Sequence, residues 1–263
     1  MSKRKKLIVA LSISIILIIF LASFLSHIYV VPILMYHSVN PDARRDNLLA
    51  VGAVAFERQM HFLKTHRYNV LPLEELAGLI RNKKKIPART LAITFDDGYK
   101  DNYTYALPIL KKYNLPATIF ITVNEVGRPG NDRLSWDEIR EMEASEIISF
   151  GSHTLSHPYL PLVSSDEELK KQIFDSKKIL EKKLDREVNS FCYPIGGFNP
   201  KIKQLVKDAG YKVAVATNPR GKNTADDIFA LKRLRISATS DNLFIFWAET
   251  NGYYSFLQEH RHK

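Results

Sequence analysis

The sequence predicts an α/β fold with a parallel sheet, either a closed barrel or an open doubly wound sheet, and one membrane-spanning helix in front of it. Two observations support this prediction. Short apolar runs alternate with helix-like segments over most of the 263 residues, and no short repeat or low-complexity tract interrupts them. A 19-residue run without charge, at 7–25, precedes them and is long enough to cross a bilayer.

A basic cluster before the apolar run sets its expected orientation. The positive-inside rule keeps Lys3, Arg4, Lys5 and Lys6 in the cytoplasm, so the rest of the chain is expected outside the cell. A cleaved secretory signal is the alternative, but the segment before Val31 has neither an A-x-A-like cleavage site nor a cysteine for lipidation. The predicted parts are a basic tail at 1–6, a single-pass signal anchor in the cell membrane at 7–25, a short linker at 26–32 and an extracellular domain at 33–263.

The composition is that of one large globular domain, with 45% hydrophobic and 25% charged residues. A formal net charge of +10 would fit nucleic-acid binding, but four of these charges belong to the anchor cluster. The others lack the aromatic interleaving of nucleic-acid-binding surfaces. We therefore expect no nucleic-acid partner. Cys192 is the only cysteine, which excludes an intrachain disulfide.

Local patterns then predict each element in turn. Apolar runs predict strands at 33–36, 69–71, 91–95, 117–121, 147–150, 190–193, 212–217 and 231–236. Apolar faces predict helices around Phe56, Met60 and Leu63, around Leu76, Leu79 and Ile80, over 103–113, from near Trp136, and over 200–209. Ser165 and Glu168 predict a capping box that opens a long helix ending near Leu184.

Two adjacent carboxylates, Asp96 and Asp97, stand at the end of the predicted strand 91–95. Side chains diverge at a strand end, so one carboxylate can hold a cation while the other addresses a water or substrate. Asp97-Gly98 is also a common hairpin signal, so this stretch alone leaves both readings open. His153 and His157 favour the metal site, because two imidazoles four residues apart can converge on one ion.

In parallel α/β folds, ligands bind at the carboxyl ends of the strands. Both pairs of residues follow predicted strands, and so do His37 and the loop at 193–197. Four segments are therefore expected to bring polar groups to one rim of the sheet, the edge formed by the carboxyl ends of its strands. Four other histidines are expected on the surface. Two lie on or beside a predicted helix, His61 and His66, and two lie in a basic tail, His260 and His262.

Two motifs in this order carry a family resemblance. Thr94-Phe95-Asp96-Asp97-Gly98 and His153-Thr154-Leu155-Ser156-His157-Pro158 resemble the polysaccharide deacetylase family, carbohydrate esterase family 4, from about Pro32 to about Leu243. The early Leu34-Met35-Tyr36-His37 resembles the subgroup that de-N-acetylates poly-N-acetylglucosamine in biofilms. The resemblance implies a distorted (β/α) barrel that removes N-acetyl groups from N-acetylglucosamine units of an extracellular polysaccharide.

The same resemblance implies a role for each site residue. Asp97, His153 and His157 would bind a divalent metal, expected to be zinc, while Asp96 is the general base. The other implied roles are protonation of the leaving amine by His37, an oxyanion contact from the backbone N–H of Ile195 after Pro194, and substrate contacts from Trp136 and Tyr193.

The chain departs from the family in one motif. Many members carry Arg-x-Pro-Tyr where this chain has Cys192-Tyr193-Pro194-Ile195. The arginine that would hold the base is missing there. Arg233 or Arg235, on the predicted strand 231–236, is expected to hold Asp96 instead.

Three alternatives remain at the level of the sequence. Peptidoglycan is a second candidate substrate for an enzyme tethered outside the membrane. A glycan-binding domain without catalysis is disfavoured because Asp96, Asp97, His153 and His157 are all present. A phosphate-ester hydrolase commonly uses two metals, and the chain offers ligands for one.

Overall fold

The computed structural model describes residues 2–44, 46–217 and 227–254. His260 and His262 lie outside these residues, and His61 and His66 are exposed, as expected. The helices are α1 (Lys3–Ile28), α2 (Ala53–Thr65), α3 (Leu73–Arg81), α4 (Leu107–Tyr113), α5 (Trp136–Glu143), α6 (Asp166–Lys170), α7 (Ser176–Leu184), α8 (Pro200–Asp208) and α9 (Leu243–Thr250). The strands are β1 (Ile33–Tyr36), β2 (Ser38–Val39), β3 (Ala50–Val51), β4 (Asn69–Val70), β5 (Thr90–Phe95), β6 (Ala117–Ile121), β7 (Ile148–Ser152), β8 (Ser190–Cys192), β9 (Val213–Ala216), β10 (Leu231–Lys232) and β11 (Leu234–Arg235).

A nearly closed parallel barrel organises the domain. The strand order is β10-β9-β8-β7-β6-β5-β1-β11, with β4 beside β5, and every pairing between these strands is parallel. The first and last strands of this order, β10 and β11, are separated along the chain by Arg233 alone. The two edges therefore meet at that residue. This arrangement confirms the (β/α) barrel and excludes the open doubly wound sheet.

Side chains of each strand alternate between two apolar clusters. In β5, Leu91, Ile93 and Phe95 belong to the larger cluster, which also contains the buried faces of most helices. Ala92 belongs to a smaller cluster with Phe120 and other residues from several strands. Because successive side chains of a strand point to opposite faces, Thr94 and Asp96 share the face of Ala92. Asp96 is therefore directed into the barrel.

Two predicted helices contain a π-helical turn. The segment 103–113 consists of a π turn at Asn102–Ala106 followed by α4, and the segment 165–184 consists of α6, a π turn at Lys171–Asp175 and α7. Single π turns inside helices are frequent at functional sites.

The capping box predicted at Ser165 is only half formed. Ser165 Oγ accepts a hydrogen bond from the N–H of Glu168 at 3.3 Å. The Glu168 carboxylate accepts instead from Gln172 Nε2 at 2.8 Å. A complete capping box, which the sequence analysis did not identify, joins Ser135 and Glu138 at the start of α5.

The amino-terminal helix α1 covers the predicted span and extends beyond it at both ends. It is long and apolar enough to cross a membrane, and its 26 residues correspond to about 39 Å at the usual rise. The chain then enters β1 at Ile33, so α1 joins the barrel at the amino ends of the strands. The rim formed by the carboxyl ends of the strands is at the opposite end.

Candidate active site

Asp97, His153 and His157 converge at the carboxyl ends of β5 and β7. Asp97 Oδ1 lies 3.6 Å from His153 Nε2 and 3.6 Å from His157 Nε2. The three ligand atoms all lie within 4.8 Å of one another. Ligand atoms about 2.1 Å from a tetrahedral cation are about 3.4 Å apart, so the cluster has the spacing that such a cation requires.

The surroundings of both imidazole rings favour their use as metal ligands. His153 Nδ1 lies 2.9 Å from the carbonyl oxygen of Cys192, which can only accept a hydrogen bond. The proton of a neutral His153 is therefore on Nδ1, and the lone pair of Nε2 faces the cluster. Burial and the neighbouring His153 lower the pKa of His157, although Asp97 opposes this shift. A neutral imidazole is the form that binds a metal.

The loop that carries His157 is held by a side chain of the second π turn. Gln172 Oε1 accepts hydrogen bonds from the N–H groups of Leu155 and Ser156, both at 3.1 Å. Thr154 Oγ1 accepts from the N–H of His157 at 3.0 Å. Thr154 and His157 both have left-handed backbones, with φ of 69° and 58°. These bonds fix an unusual loop conformation that turns His157 toward Asp97.

Asp96 is held inside the barrel by Arg233. Arg233 Nη1 and Nη2 donate to the two carboxylate oxygens of Asp96 at 2.7 and 2.6 Å, and Nη1 also donates to Thr94 Oγ1 at 3.1 Å. Both side chains are almost completely buried. Burial alone would raise the pKa of Asp96, but the Arg233 charge and hydrogen bonds, with His153 and His37, hold it well below its usual range. Asp96 is therefore ionised at neutral pH.

The structure distinguishes between the two candidate arginines. A continuous strand over 231–236 would direct Arg233 and Arg235 to the same face, because they are two residues apart. The predicted strand is instead two short strands, with the break at Arg233. Arg233 enters the barrel, whereas Arg235 is exposed. The holding contact predicted for one of them is thus made by Arg233.

Cys192 lies directly beside the ion pair of Arg233 and Asp96. Its thiol lies where the family motif would carry the arginine, 3.0 Å from Arg233 Nη2 and 3.6 Å from each carboxylate oxygen of Asp96. Burial raises the pKa of Cys192 well above its usual range, so the group is a neutral thiol. A thiol is much smaller than an arginine side chain and leaves room for the guanidinium from residue 233.

His37 lies directly after β1, the strand that pairs with β5. Its Nε2 is 4.0 Å from Asp96 Oδ2, and its side chain is 11% exposed. Burial lowers the pKa of His37, and the charges of Asp96 and Asp97 oppose that shift. Asn102, on the first π turn, donates from Nδ2 to the carbonyl oxygen of His37 at 2.8 Å and so fixes the backbone there.

The loop after β8 presents a backbone amide rather than side chains. Ile195 has φ 56° and ψ 14°, a left-handed conformation that is rare for a β-branched residue, and its side chain is exposed. The N–H groups of Gly196 and Gly197 donate to the carbonyl oxygens of Tyr193 and Pro194. No hydrogen bond of the Ile195 N–H is found within the described part of the chain.

The Tyr193 side chain does not fit its predicted contact with substrate. It is fully buried, stacks on Phe198 with 4.7 Å between ring centroids, and donates its hydroxyl to the carbonyl oxygen of Phe229 at 3.0 Å. Its apolar ring completes the core beneath the loop. Pro194 is also buried.

Trp136 is the first residue of α5 and is half-buried against the larger core cluster. The Lys183 ammonium lies 5.4 Å from its ring centroid. These contacts place it on the core side of α5, and its contact with substrate stays a prediction.

The Asp97-Gly98 turn is not part of a hairpin. Asp97 and Gly98 have φ of 70° and 63°, as in a tight turn, but β5 and the next strand, β6, run parallel. A Cβ on Gly98 would lie 2.8 Å from Ile121 Cδ1, so the turn packs directly on β6. The turn therefore serves to direct Asp97 into the rim.

Gln172 and Asn102 were not identified from the sequence. Gln172 is a buried polar residue between Leu169 and Ile173, which are also buried, so the only available signal was a polar residue on an apolar helix face. Asn102 gives no comparable signal. Both act through contacts with residues distant in the chain.

Comparisons with known proteins agree with this geometry. The polysaccharide deacetylase family model matches residues 83–214. YxkH of Bacillus subtilis (strain 168) is 34% identical over 206 residues, which cover 78% of this chain and 71% of the relative. The chain belongs to the polysaccharide deacetylase family.

Further polysaccharide deacetylase relatives agree. The poly-β-1,6-N-acetyl-D-glucosamine N-deacetylase of Staphylococcus aureus (strain MRSA252) is 30% identical over 198 residues, or 72% of this chain and 68% of that protein. The solved structure of the Streptococcus pyogenes deacetylase PplD in complex with acetate superposes with a TM-score of 0.73 at 30% identity, over 82% of this chain and 97% of that one. The protein is thus a polysaccharide deacetylase with the barrel of its family.

The matched segment does not contain the whole polysaccharide deacetylase site. Residues 83–214 include Asp96, Asp97, His153 and His157. His37, directly after β1, and Arg233, between β10 and β11, lie outside this segment, yet both approach Asp96. The barrel brings residues from the two ends of the domain together at Asp96.

Proposed function

We propose that this polysaccharide deacetylase uses one divalent metal, zinc, to remove N-acetyl groups from N-acetylglucosamine units of an extracellular polysaccharide, poly-N-acetylglucosamine. The observation that carries the proposal is that the adjacent carboxylates of Asp96 and Asp97 have different partners. Asp97 lies 3.6 Å from each of two imidazole nitrogens, whereas Asp96 is paired with Arg233. One carboxylate is thereby available as a metal ligand and the other as a base.

The donor set fits zinc. Two neutral imidazoles and one carboxylate on one side of a cleft are a common ligand set for catalytic zinc, with remaining positions open. Asp97, His153 and His157 would hold the ion, which would polarise the acetyl carbonyl and make a water more acidic. The hydrogen bond of His153 Nδ1 to the Cys192 carbonyl is the supporting contact that orients such a ligand.

Asp96 and His37 would divide the proton transfers. Asp96 would accept a proton from the attacking water, since it is ionised and its carboxylate is fixed by Arg233. His37, protonated on both ring nitrogens, would donate its Nε2 proton to the amide nitrogen as the carbon–nitrogen bond breaks and would become a neutral imidazole, because an amine leaves poorly as an anion. The products are acetate and the free amine. The 4.0 Å between Asp96 Oδ2 and His37 Nε2 is short enough for one reacting amide to contact both groups.

The Ile195 N–H would stabilise the oxyanion that forms when water adds to the acetyl carbonyl. A backbone donor held in a fixed direction acts in this way without reorganisation during the reaction. Among the described residues this N–H makes no backbone hydrogen bond, so it is available for such a contact. Pro194, buried just before it, anchors the loop, and Trp136 is proposed to contact a sugar at the edge of the site.

Two observations support poly-N-acetylglucosamine as the substrate. The acid candidate, His37, comes from the first strand of the barrel, as the Leu34-Met35-Tyr36-His37 motif predicted. The Staphylococcus aureus relative at 30% identity is named for the same polymer. Peptidoglycan is the substrate against which this preference is tested.

Membrane attachment is part of the proposal. α1 would be a single-pass anchor at 7–25, with the basic tail at 1–6 in the cytoplasm and the domain outside the cell at the membrane. The rim would then face away from the end of the barrel where the anchor enters, toward a polymer outside the cell.

The test is acetate release by the detergent-solubilised full chain. The substrates are β-1,6-linked N-acetylglucosamine oligomers and peptidoglycan, each with metal-stripped and zinc-reloaded protein. Asp96→Asn is expected to abolish release, and Asp137→Asn, at a side chain that is 82% exposed, serves as the matched control. Release from peptidoglycan alone would overturn the polymer assignment, and release that survives in stripped protein would overturn the metal.

A further inference from the structure

Helix α9 exposes an apolar face. Phe244 is 72% exposed and Trp247 is 46% exposed, and their rings lie 5.5 Å apart. Phe246, on the other side of the helix, is buried against Phe62. The large apolar side chains exposed on this helix are Leu243, Phe244, Ile245 and Trp247. Exposed apolar side chains grouped on one helix are typical of interaction sites.

The end of α1 is attached to the segment that follows α9. The N–H of Val30 donates to the carbonyl oxygen of Gly252 at 2.9 Å. The Tyr29 ring contacts the Tyr253 ring edge-on, with 5.4 Å between centroids. A Cβ on Gly252 would lie only 2.3 Å from the Tyr29 ring, so only glycine permits this approach. The point where the chain leaves α1 is thus fixed against the domain.

A pocket joins the two features. It has a volume of about 430 Å³, and both Tyr29 and Trp247 line it. Lys85 and Arg89 line it as well, and among the described residues no carboxylate side chain lines it. Tryptophan and tyrosine favour the headgroup level of a bilayer, and lysine and arginine attract anionic lipid phosphates. The lining therefore has the chemistry of a membrane interface.

We propose that the α9 surface, formed by Leu243, Phe244, Ile245 and Trp247 with Lys85 and Arg89, lies in the interfacial region of the bilayer that α1 enters. The inference rests on the proposed insertion of α1. Tyr29 follows the predicted span 7–25 by four residues, or about 6 Å of helix, so the bilayer surface is within reach of the pocket it lines. A second copy of the chain would have to occupy the same space beside the anchor.

The consequence is a defined orientation. A domain held only through a short connection can rotate about it, whereas a domain held through α1 and α9 presents its rim in one direction. The α9 surface would thus determine how the catalytic rim faces the polymer.

The experiment uses the fact that the chain contains only two tryptophans, Trp136 and Trp247. The full chain is reconstituted in vesicles of phosphatidylcholine and phosphatidylglycerol with or without brominated acyl chains. In Trp136→Phe, the brominated vesicles should quench the remaining fluorescence of Trp247. In Trp247→Phe, Trp136 on α5 is the matched control and should not be quenched. Adding Phe244→Glu to Trp136→Phe should reduce the quenching, since a charge disfavours insertion and this exposed position tolerates it.

Each outcome distinguishes the surface from the anchor. Flotation of the vesicles reports insertion of α1 independently of Trp247, and a chain that does not float overturns both the anchor and the α9 surface. A floating chain whose Trp247 is quenched by aqueous acrylamide but not by bromine overturns the α9 surface alone. Protection of Trp247 from both quenchers would show that another protein, such as a second copy, covers the helix, and this also overturns the assignment.

Discussion

Arg233 and Asp96 form a two-bond ion pair inside the barrel, at the residue where the two edges of the sheet meet. The guanidinium donates to both carboxylate oxygens at 2.7 and 2.6 Å, and both side chains are almost fully excluded from solvent. Arg233 stands between the two edge strands, β10 and β11, and its contact fixes the carboxylate of the proposed base.

Replacing Arg233 is expected to reduce both stability and activity. Arg233→Ala leaves a buried carboxylate unpaired, which should lower the free energy of unfolding by about 3–5 kcal/mol. Arg233→Lys keeps a charge but cannot make the two parallel bonds, so it should recover part of the stability and little of the acetate release. Arg235→Ala, at the exposed neighbour, should change the free energy of unfolding by less than about 0.5 kcal/mol. Unfolding and acetate release, measured on the same preparations, would contradict this role if Arg233→Lys were fully active.

Removing a metal ligand is expected to remove the metal and the activity together. His153→Ala and His157→Ala should lose bound zinc in elemental analysis and lose acetate release, whereas His61→Ala, at an exposed histidine, should retain both. Zinc at 100 times its dissociation constant should stabilise the unsubstituted chain by about 2.7 kcal/mol. Equal zinc content in His157→Ala and His61→Ala would exclude His157 as a ligand.

Gln172 is expected to control metal affinity without touching the metal. Gln172→Leu removes the acceptor of the Leu155 and Ser156 N–H groups, so the loop that carries His157 should lose its fixed conformation. Supporting residues of metal ligands typically contribute about 10–100-fold in affinity, and we expect a loss of this size in zinc titrations. Gln204→Leu, at an exposed glutamine of α8, is the control and should bind zinc normally. An unchanged affinity in Gln172→Leu would mean that the loop is held by its other contacts.

The Ile195 backbone offers a test of the oxyanion role. Ile195→Gly keeps the N–H and relieves a left-handed conformation that costs an L-residue roughly 1–2 kcal/mol, while the lost side chain is 66% exposed. We expect acetate release to be retained and stability to rise slightly. A large loss of activity would show that the isoleucine side chain, not the amide, contacts the substrate.

Glu249 should make the domain less stable as the pH rises from about 4 to about 7. Burial raises the pKa of Glu249 to about 7, although the Ser240 hydroxyl, 3.1 Å away, opposes the shift. The unfolded value is about 4.3, so this group's contribution to stability is fully present below about pH 4 and is lost as the pH rises to about 7. The loss at pH 8 is about 3.5 kcal/mol for a shift of this size. Between pH 4 and pH 8, the free energy of unfolding of Glu249→Gln should rise relative to that of the unsubstituted chain. A difference that stays constant over this range would contradict a raised pKa of Glu249.

The sequence by itself determined most elements of the barrel and the candidate residues of the site. Apolar runs of strand length located the barrel strands, although the run 231–236 forms two strands, and the carboxyl ends of parallel strands share one rim. The positions of Asp96, Asp97, His153 and His157 after predicted strands were therefore enough to expect them together, and the same holds for His37. These are properties of local pattern and of sheet geometry.

Only the tertiary structure decided the contacts between segments distant in the chain. The sequence left open a closed or an open sheet, because closure depends on whether β10 and β11 reach opposite edges. It could not choose between Arg233 and Arg235, because the strand break that separates their directions is imposed by that closure. The support from Gln172 and Asn102 depends on π turns, and the burial of Tyr193 depends on packing against Phe198 and Phe229. No periodicity in the sequence specifies these contacts, since each arises when side chains from separate elements compete for the same space.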